Sequence, residues 1–447
     1  MHGAATPKTV DARTMTAEIA ILNKSAVALA ADSAVTIGEG GSAKIYNTVN
    51  KIFEISGVQP MGIMVYGSLS YMGLPMEVLV KRYRRHFAND MKFNNVRECA
   101  ENFVIYLEKH VPFDQSNEEE NAKRIIFVTV QSIFNKMQRA FFSRMIQVGK
   151  LLPSKANGIY QEVIGEEIDR LTSIDGAECF TSSQLSRIDR RYSAIIDKCI
   201  ESGFPGPEVT KGTQAAIRRL IRLALHRAEL SRFRTGIVVA GFGDDEICPT
   251  LCSFEMDGIV HGKLKRSKLD VVDIDRGGPG ADIRAFAQRE MVERFLQGVD
   301  PAYDQYVQNR LEDAMKDFAS IIFQSQGLSE EEAQSKVDDL APTIARMKED
   351  FSQRSDEHKE GEFKHNVLNM VQFMPNQELA TLAESLVDLT SLKRRMSAER
   401  ETVGGEVDVA IISKSEGFVW IKRKHYFPQD LNPRFFHRHY KAERKGA

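Results

Sequence analysis

Near the start of the chain, "MTAEIAILNKSAVALAADSAVTI" (residues 15–37) sets a threonine ahead of an apolar run and an aspartate towards its far end, Thr16 and Asp32. A threonine hydroxyl is a poor nucleophile at its resting pKa and needs a base beside it. An N-terminal threonine carries its own base, the α-amino group, with a pKa of about 8. A lysine kept charged by a carboxylate lowers the cost of the developing alkoxide, and Asp32 with Lys51, in "NTVNKIFEIS", can form that pair. A glycine N–H, open to close approach, can receive an oxyanion, and Gly67 in "MVYGSLS" is the candidate. Taken singly, each residue has a plainer use: the threonine as a strand former, the aspartate as a turn residue, the lysine as a solvated charge at a strand end. The ordered set Thr16, Asp32, Lys51 and Gly67 reads as a site because groups that perturb one another gather at sites rather than along arbitrary strands.

The elements that must position these residues are short apolar runs bounded by turn residues. "AEIAILN", "AVALAAD", "NKIFEIS" and "MGIMVYGSLS" predict strands, and "LPMEVLVKRYRRHF" and "NNVRECAENFVIYLEKHV" predict two amphipathic helices after them. Residues 113–232 turn to helical period and high charge. Strand signals return at "TGIVVAGFG", "CPTLCSFEMDG" and "KLDVVDID", after which the turn "RGGPGAD" is expected to lead into a helix "IRAFAQREMVERFLQGV". A second helical stretch covers about 303–370, with a capping box at Ser329–Glu332, followed by a helix at "NQELATLAESLVDLTSLKRR" and strands at "VDVAIISK" and "GFVWIKRK". This order spells one α+β unit rather than a doubly wound sheet.

Composition narrows the function classes. The 447 residues are 42% hydrophobic and 27% charged, which suits a folded chain with a real core. With 60 basic against 62 acidic residues there is no whole-chain field to draw nucleic acid or an anionic membrane, and neither is expected as a partner. Arg218, Arg219, Arg222 and Arg227 lack interleaved aromatics and have acidic neighbours such as Glu229, so they read as a solvated or partner-facing helix. The five cysteines form no disulfide framework, and Cys248 and Cys252 without a second pair or a nearby histidine make a poor zinc site, so neither metal nor cofactor is expected. Residues 1–15 lack the apolar core of a secretory signal and no run suits a membrane span, which points to a cytoplasmic protein.

The site residues resemble those of the proteasome β-type subunits and bacterial proteasome-like proteases, members of the N-terminal nucleophile (Ntn) hydrolases. In that family a mature N-terminal threonine opens the first strand, and an aspartate in an "AADS"-like turn follows sixteen residues on, as Asp32 follows Thr16 here in "ALAADSAVT". A lysine and an oxyanion glycine come next, matched by Lys51 and Gly67, with a short insertion at "GEGGSAK". The similarity continues through "VVAGFGDDEICPTLCSFEMDG" and "ETVGGEVDVAIISKSEGF". It implies a four-layer αββα sandwich spanning 16–425, with a core of 16–112, 233–299 and 375–425, helical insertions at 113–232 and 300–374, an extension or propeptide at 1–15 and a basic, aromatic tail at 426–447. It also implies a threonine-type peptidase or other amidohydrolase acting on peptide or protein, a homo-oligomer and possible ring, and a possible unfolding partner. The alternative is a catalytically inactive proteasome-like scaffold or partner-binding protein. The chain departs from the family where active members carry an aspartate and a serine before the paired glycines of the closing loop. "SAERETVGG" puts Arg400 and Val403 at those places, with Glu399 and Glu401 as nearby acids, and the turn at Arg276 lacks the usual serine. Translation from Met15, followed by removal of that methionine, would leave Thr16 as the free N-terminus.

Overall fold

The structure, a computed structural model, describes residues 16–37, 44–88, 91–148, 153–174, 180, 182–203, 209–274, 279–396, 404–425, 427–428, 430–434 and 437. The extension at 1–15, Arg276, Glu399, Arg400, Glu401, Val403 and most of the tail lie outside the described residues.

Two antiparallel sheets form the centre. Strands β1 (Ala17–Asn23) and β2 (Ala26–Ala31) pair with each other across a two-residue turn, Lys24 and Ser25. The short strands β3 (Val35–Ile37) and β4 (Lys44–Tyr46) pair aside from the main sheets, and β5 (Ile52–Glu54) leads to β6 (Met61–Gly67). A small hairpin, β7 (Ser70–Tyr71) with β8 (Leu74–Pro75), precedes the first helix. Later in the chain come β9 (Thr235–Gly241), β10 (Thr250–Val260), β11 (Lys263–Arg266), β12 (Asp270–Asp273), β13 (Ala281–Ala287), β14 (Asp408–Ser413) and β15 (Gly417–Lys422). The first sheet has the order β13-β1-β2-β14-β15 and the second β11-β10-β9-β6-β5, with β12 also on β10.

Side-chain alternation explains why β1 and β2 are apolar throughout. Ala20, Leu22, Val27 and Leu29 face the second sheet and meet its Met64, Val238 and Ala240. The alternate residues Ile19, Ile21, Ala28 and Ala30 face outward onto helices α7 (Glu290–Gln297), α11 (His365–Val371) and α12 (Asn376–Arg395). A strand covered on both faces has no polar side to present, so it reads as a continuous apolar run. The outer face of the second sheet is covered by α1 (Met76–Tyr83) and α2 (Val96–Lys109), where Leu79, Tyr83 and Phe103 pack on Ile63, Val65 and Val239. Asn95 caps α2 by accepting the Glu98 N–H at 2.9 Å.

Helices α3 (Gln115–Val148), α4 (Pro153–Ser173), α5 (Ser182–Gly203) and α6 (Lys211–His226) gather around an apolar centre of their own, including Ile126, Val130, Ile164, Tyr192, Ile217 and Leu220. The bundle joins the second sheet at the β10–β11 turn. There Glu118 accepts the Tyr192 hydroxyl at 2.8 Å and the Gly262 N–H at 3.0 Å, and Asn121 donates to the Ile259 carbonyl at 3.0 Å. The arginines of α6 turn to this bundle: Arg218 pairs with Asp197, Arg222 lies 3.8 Å from Asp189, and Arg227, just past the helix end, donates to the Ile174 carbonyl at 3.0 Å. Helices α8 (Pro301–Ser325), α9 (Glu330–Asp339) and α10 (Ala341–His358) form the second helical stretch, and Ser329 with Glu332 makes the capping box. Among the described residues no helix is long and apolar enough to cross a membrane.

One element differs from the sequence expectation. The segment "ADIRAFA" is not the beginning of a helix; it is the edge strand β13, paired with β1 along its whole length from Ala17↔Ala287 to Asn23↔Ala281. Alanine and arginine suit a helix, but Ile283 and Phe286 are buried with the segment lying along β1, and that tertiary burial overrides local propensity. The expected helix is confined to α7.

Candidate active site

The turn after β2 builds the site. Asp32 N–H donates to the Ala17 carbonyl at 3.1 Å, and the Ala17 N–H donates back to Asp32 Oδ1, also at 3.1 Å. Lys51 Nζ reaches the same Oδ1 at 2.5 Å, and the Gly404 N–H donates to Oδ2 at 3.1 Å. Asp32 therefore receives two amides and an ammonium while almost wholly buried, so the hydrogen bonds its oxygens lose to water are replaced within the fold. The loop that supplies Gly404 is tied to the next residue as well: Ser33 N–H donates to the Gly404 carbonyl at 3.3 Å and Ser33 Oγ to the Glu406 carbonyl.

Lys51 is fixed from two sides. Its carbonyl accepts the Val65 N–H at 2.8 Å, anchoring it to β6, while its ammonium bridges Asp32 and, at 2.9 Å, Glu18 Oε1. Burial pulls the Lys51 ammonium down, but the charges of Asp32 and then Glu18 outweigh it and leave its pKa raised, so it remains charged.

Glu18 was not among the residues picked out of the sequence, although β1 carries it in phase with Ala20 and Leu22, facing the space between the sheets. It is paired in register with Ala31 of β2 on one side and Phe286 of β13 on the other. Its second oxygen, Oε2, accepts the Thr16 hydroxyl at 2.9 Å. Burial raises its carboxyl to about 7; the Lys51 charge opposes that rise and the Asp32 charge adds to it. The available signal was a lone acid inside an otherwise apolar strand, on the parity of the residues that meet the other sheet.

Thr16, Asp32 and Lys51 thus converge, with Glu18 as the link between the threonine and the lysine. Gly67 stands at the end of β6, two residues beyond the Val65 amide that holds Lys51. Its φ of +71° is a conformation that favours glycine, and a Cβ there would lie 2.6 Å from the Arg234 carbonyl oxygen. Thr16 is 1% exposed, so in the uncut chain its hydroxyl is closed to a substrate carbonyl.

Cys252 packs in the apolar layer between the second sheet and its helices, and burial pushes its thiol up to about 12, which suits a small core residue rather than a thiolate ligand. Among the described residues no cluster of three or more histidine, cysteine or acidic side chains could hold a metal ion. The chain matches no protein-family model, and no curated protein matches it significantly in sequence.

Proposed function

We propose that the protein is an Ntn hydrolase of the proteasome-like type, a threonine-nucleophile amidohydrolase and peptidase acting through Thr16 once the chain before it is removed. The observation that carries this reading is the convergence of Thr16, Asp32 and Lys51 at the edge of two face-to-face antiparallel sheets flanked by helices. In this reading Thr16 Oγ1 attacks the scissile carbonyl carbon while its proton passes to the freed amine, directly or through water. Lys51 stabilises the developing alkoxide, Asp32 keeps Lys51 charged and oriented, and the Gly67 N–H receives the oxyanion. Collapse of the tetrahedral adduct expels the leaving amine, which takes the proton, and water then hydrolyses the ester on Thr16. The reading extends to a homo-oligomer of ring form and to a partner that unfolds protein substrates.

Intact-mass spectrometry of the native protein tests the first requirement, a chain beginning at Thr16. A hydroxyl-acylating electrophile tests the second: it should add one adduct at Thr16, Thr16→Ala should abolish it, and Lys51→Ala should slow it by on the order of a hundredfold. The departure at Arg400 and Val403, where active members carry an aspartate and a serine, favours a second reading, a proteasome-like scaffold or partner-binding protein without activity. That reading stands if the native chain retains residues before Thr16 or takes no adduct.

A further inference from the structure

We infer that Glu18 is the general base for Thr16, so that activation of the hydroxyl does not depend on the α-amino group alone. This rests on the reading of Thr16 as the nucleophile. The geometry is that of a nucleophile, a base and an orienting group in series: Thr16 Oγ1 donates to Glu18 Oε2 at 2.9 Å, and Glu18 Oε1 is held by Lys51 Nζ at 2.9 Å. The base is carried on a strand paired on both sides, which fixes its position before substrate arrives.

A purely structural role explains Glu18 poorly. Lys51 already has a partner in Asp32 at 2.5 Å, and Asp32 is further satisfied by the Ala17 and Gly404 amides. Glu18 is a second buried carboxylate for one ammonium, an arrangement with a desolvation cost that a neutral side chain would avoid. The groups facing it are Lys51, Asp32 and the Thr16 hydroxyl. Together with burial they bring its carboxyl to about 7, where a base is strong enough to take a proton and still ionised in a large share of molecules.

The step balances without any added reagent. The Thr16 O–H bond breaks as Oγ1 bonds to the carbonyl carbon; the proton goes to Glu18 Oε2, and the carbonyl π pair goes to its oxygen. As the tetrahedral adduct collapses, the C–N bond breaks and the Glu18 carboxylic acid returns the proton to the leaving nitrogen.

The test uses a β-lactone as the acylating probe on chain that begins at Thr16, at pH 8, with the site of addition mapped by mass spectrometry. Glu18→Gln, which keeps the shape but cannot accept the proton, is expected to slow labelling of Thr16 by on the order of a hundredfold. Folded Glu18→Gln protein that labels at the native rate would overturn the inference. Because a buried variant can fail to fold, a second measurement leaves Glu18 in place: the Thr16 amine is selectively acetylated before the probe is added. Continued labelling supports Glu18 as the base, whereas loss of labelling assigns the proton to the amine. If unmodified chain takes no label at Thr16, the hydrolase reading fails and this inference falls with it. If it labels normally but is indifferent to Glu18→Gln, only the role of Glu18 is lost.

Discussion

Asp32 shows how much one side chain can organise. Its carboxylate holds the start of β1 through the Ala17 amide, the lysine through Oδ1 and the closing loop through the Gly404 amide. Asp32→Ala would leave two buried amides without an acceptor and Lys51 with Glu18 alone. The expected loss is about 3–5 kcal/mol, read as a lower urea midpoint at unchanged slope. Glu18 predicts a pH dependence of opposite sign to that of an ordinary salt-bridged acid. Its carboxyl is raised from 4.5 to about 7 in the fold, so the native state binds the extra proton between those values. The stability that this proton confers is complete below 4.5 and disappears as pH rises through about 7. Relative to Glu18→Gln, native protein should lose on the order of 3 kcal/mol between pH 4.5 and 8, measured by denaturant titration at each pH. A difference between the two proteins that is flat in pH would mean that Glu18 stays ionised throughout. Asp32 and Lys51 could be paired from the sequence because a lysine that steadies a developing alkoxide needs a carboxylate to keep it charged. Glu18 could not, because a single acid in an apolar strand is equally compatible with an exposed edge until the partner strands on both sides are known.

At the scale of elements, two glycines set how closely backbones meet around the site. Gly67 ends β6 at φ +71° against the Arg234 carbonyl, and Gly405, at φ +80°, would place a Cβ 2.9 Å from the Asn47 carbonyl oxygen and 3.2 Å from Ser33 Cβ. Alanine at either position must adopt an unfavourable backbone and push on atoms that cannot rotate away. Gly67→Ala and Gly405→Ala are each expected to cost about 1–3 kcal/mol. Gly405→Ala should in addition increase hydrogen exchange at the Gly404 amide, which Asp32 anchors; exchange left as slow as in native protein would show that the loop absorbs the methyl group. The adjacent glycines Gly404 and Gly405 were visible in the sequence, but their use was not, because the contact of Gly404 to Asp32 joins residues 372 positions apart. The strand β13 was hidden for a related reason. Its apolar residues match a helical face as well as a strand, and the partner that decides between them, β1, lies more than two hundred and fifty residues earlier. By contrast β1, β2, β6, β9 and β14 were legible because strands buried on both faces leave long uninterrupted apolar runs.

Over the whole molecule, the covered and uncovered surfaces differ sharply. The helices α3–α6 enclose a shared apolar centre, whereas α8 has no fully buried side chain and exposes Tyr303, Tyr306, Phe318 and Ile321. Further along, Met370 and Phe373 are also exposed. Apolar side chains on this scale are usually covered by another protein surface, and a formal net charge of −2 does little to keep copies apart. We expect self-association, visible by light scattering as a mass that is a multiple of the single chain's, 50.4 kDa before any residues are removed, and that falls when Phe318 and Ile321 are changed to polar residues. A clean monomer across working concentrations would speak against both the assembly and the use of this face. The sequence could report the helical period of this stretch but not which of its faces would be left uncovered, since that depends on how α8, α9 and α10 lean on one another.

The two-to-one ratio of carboxylates to ammonium around Thr16 has a consequence for latency. At pH 6, with a peptide bond ahead of Thr16, the cluster of Asp32, Glu18 and Lys51 is one positive charge short, and a proton on Glu18 makes up the difference. Cutting that bond creates an ammonium one residue from the Ala17 amide that already touches Asp32, and the set then has two charges of each sign. At that pH the same cut that bares the nucleophile would therefore draw the proton off Glu18 and ready it to accept another, whereas at pH 8 Glu18 is largely ionised before the cut as after it. Infrared difference spectra of uncut and cut protein at pH 6, with Glu18→Gln as the control, should show a protonated carboxyl band lost on cutting; a band that persists after the cut would disconnect processing from the charge of the site.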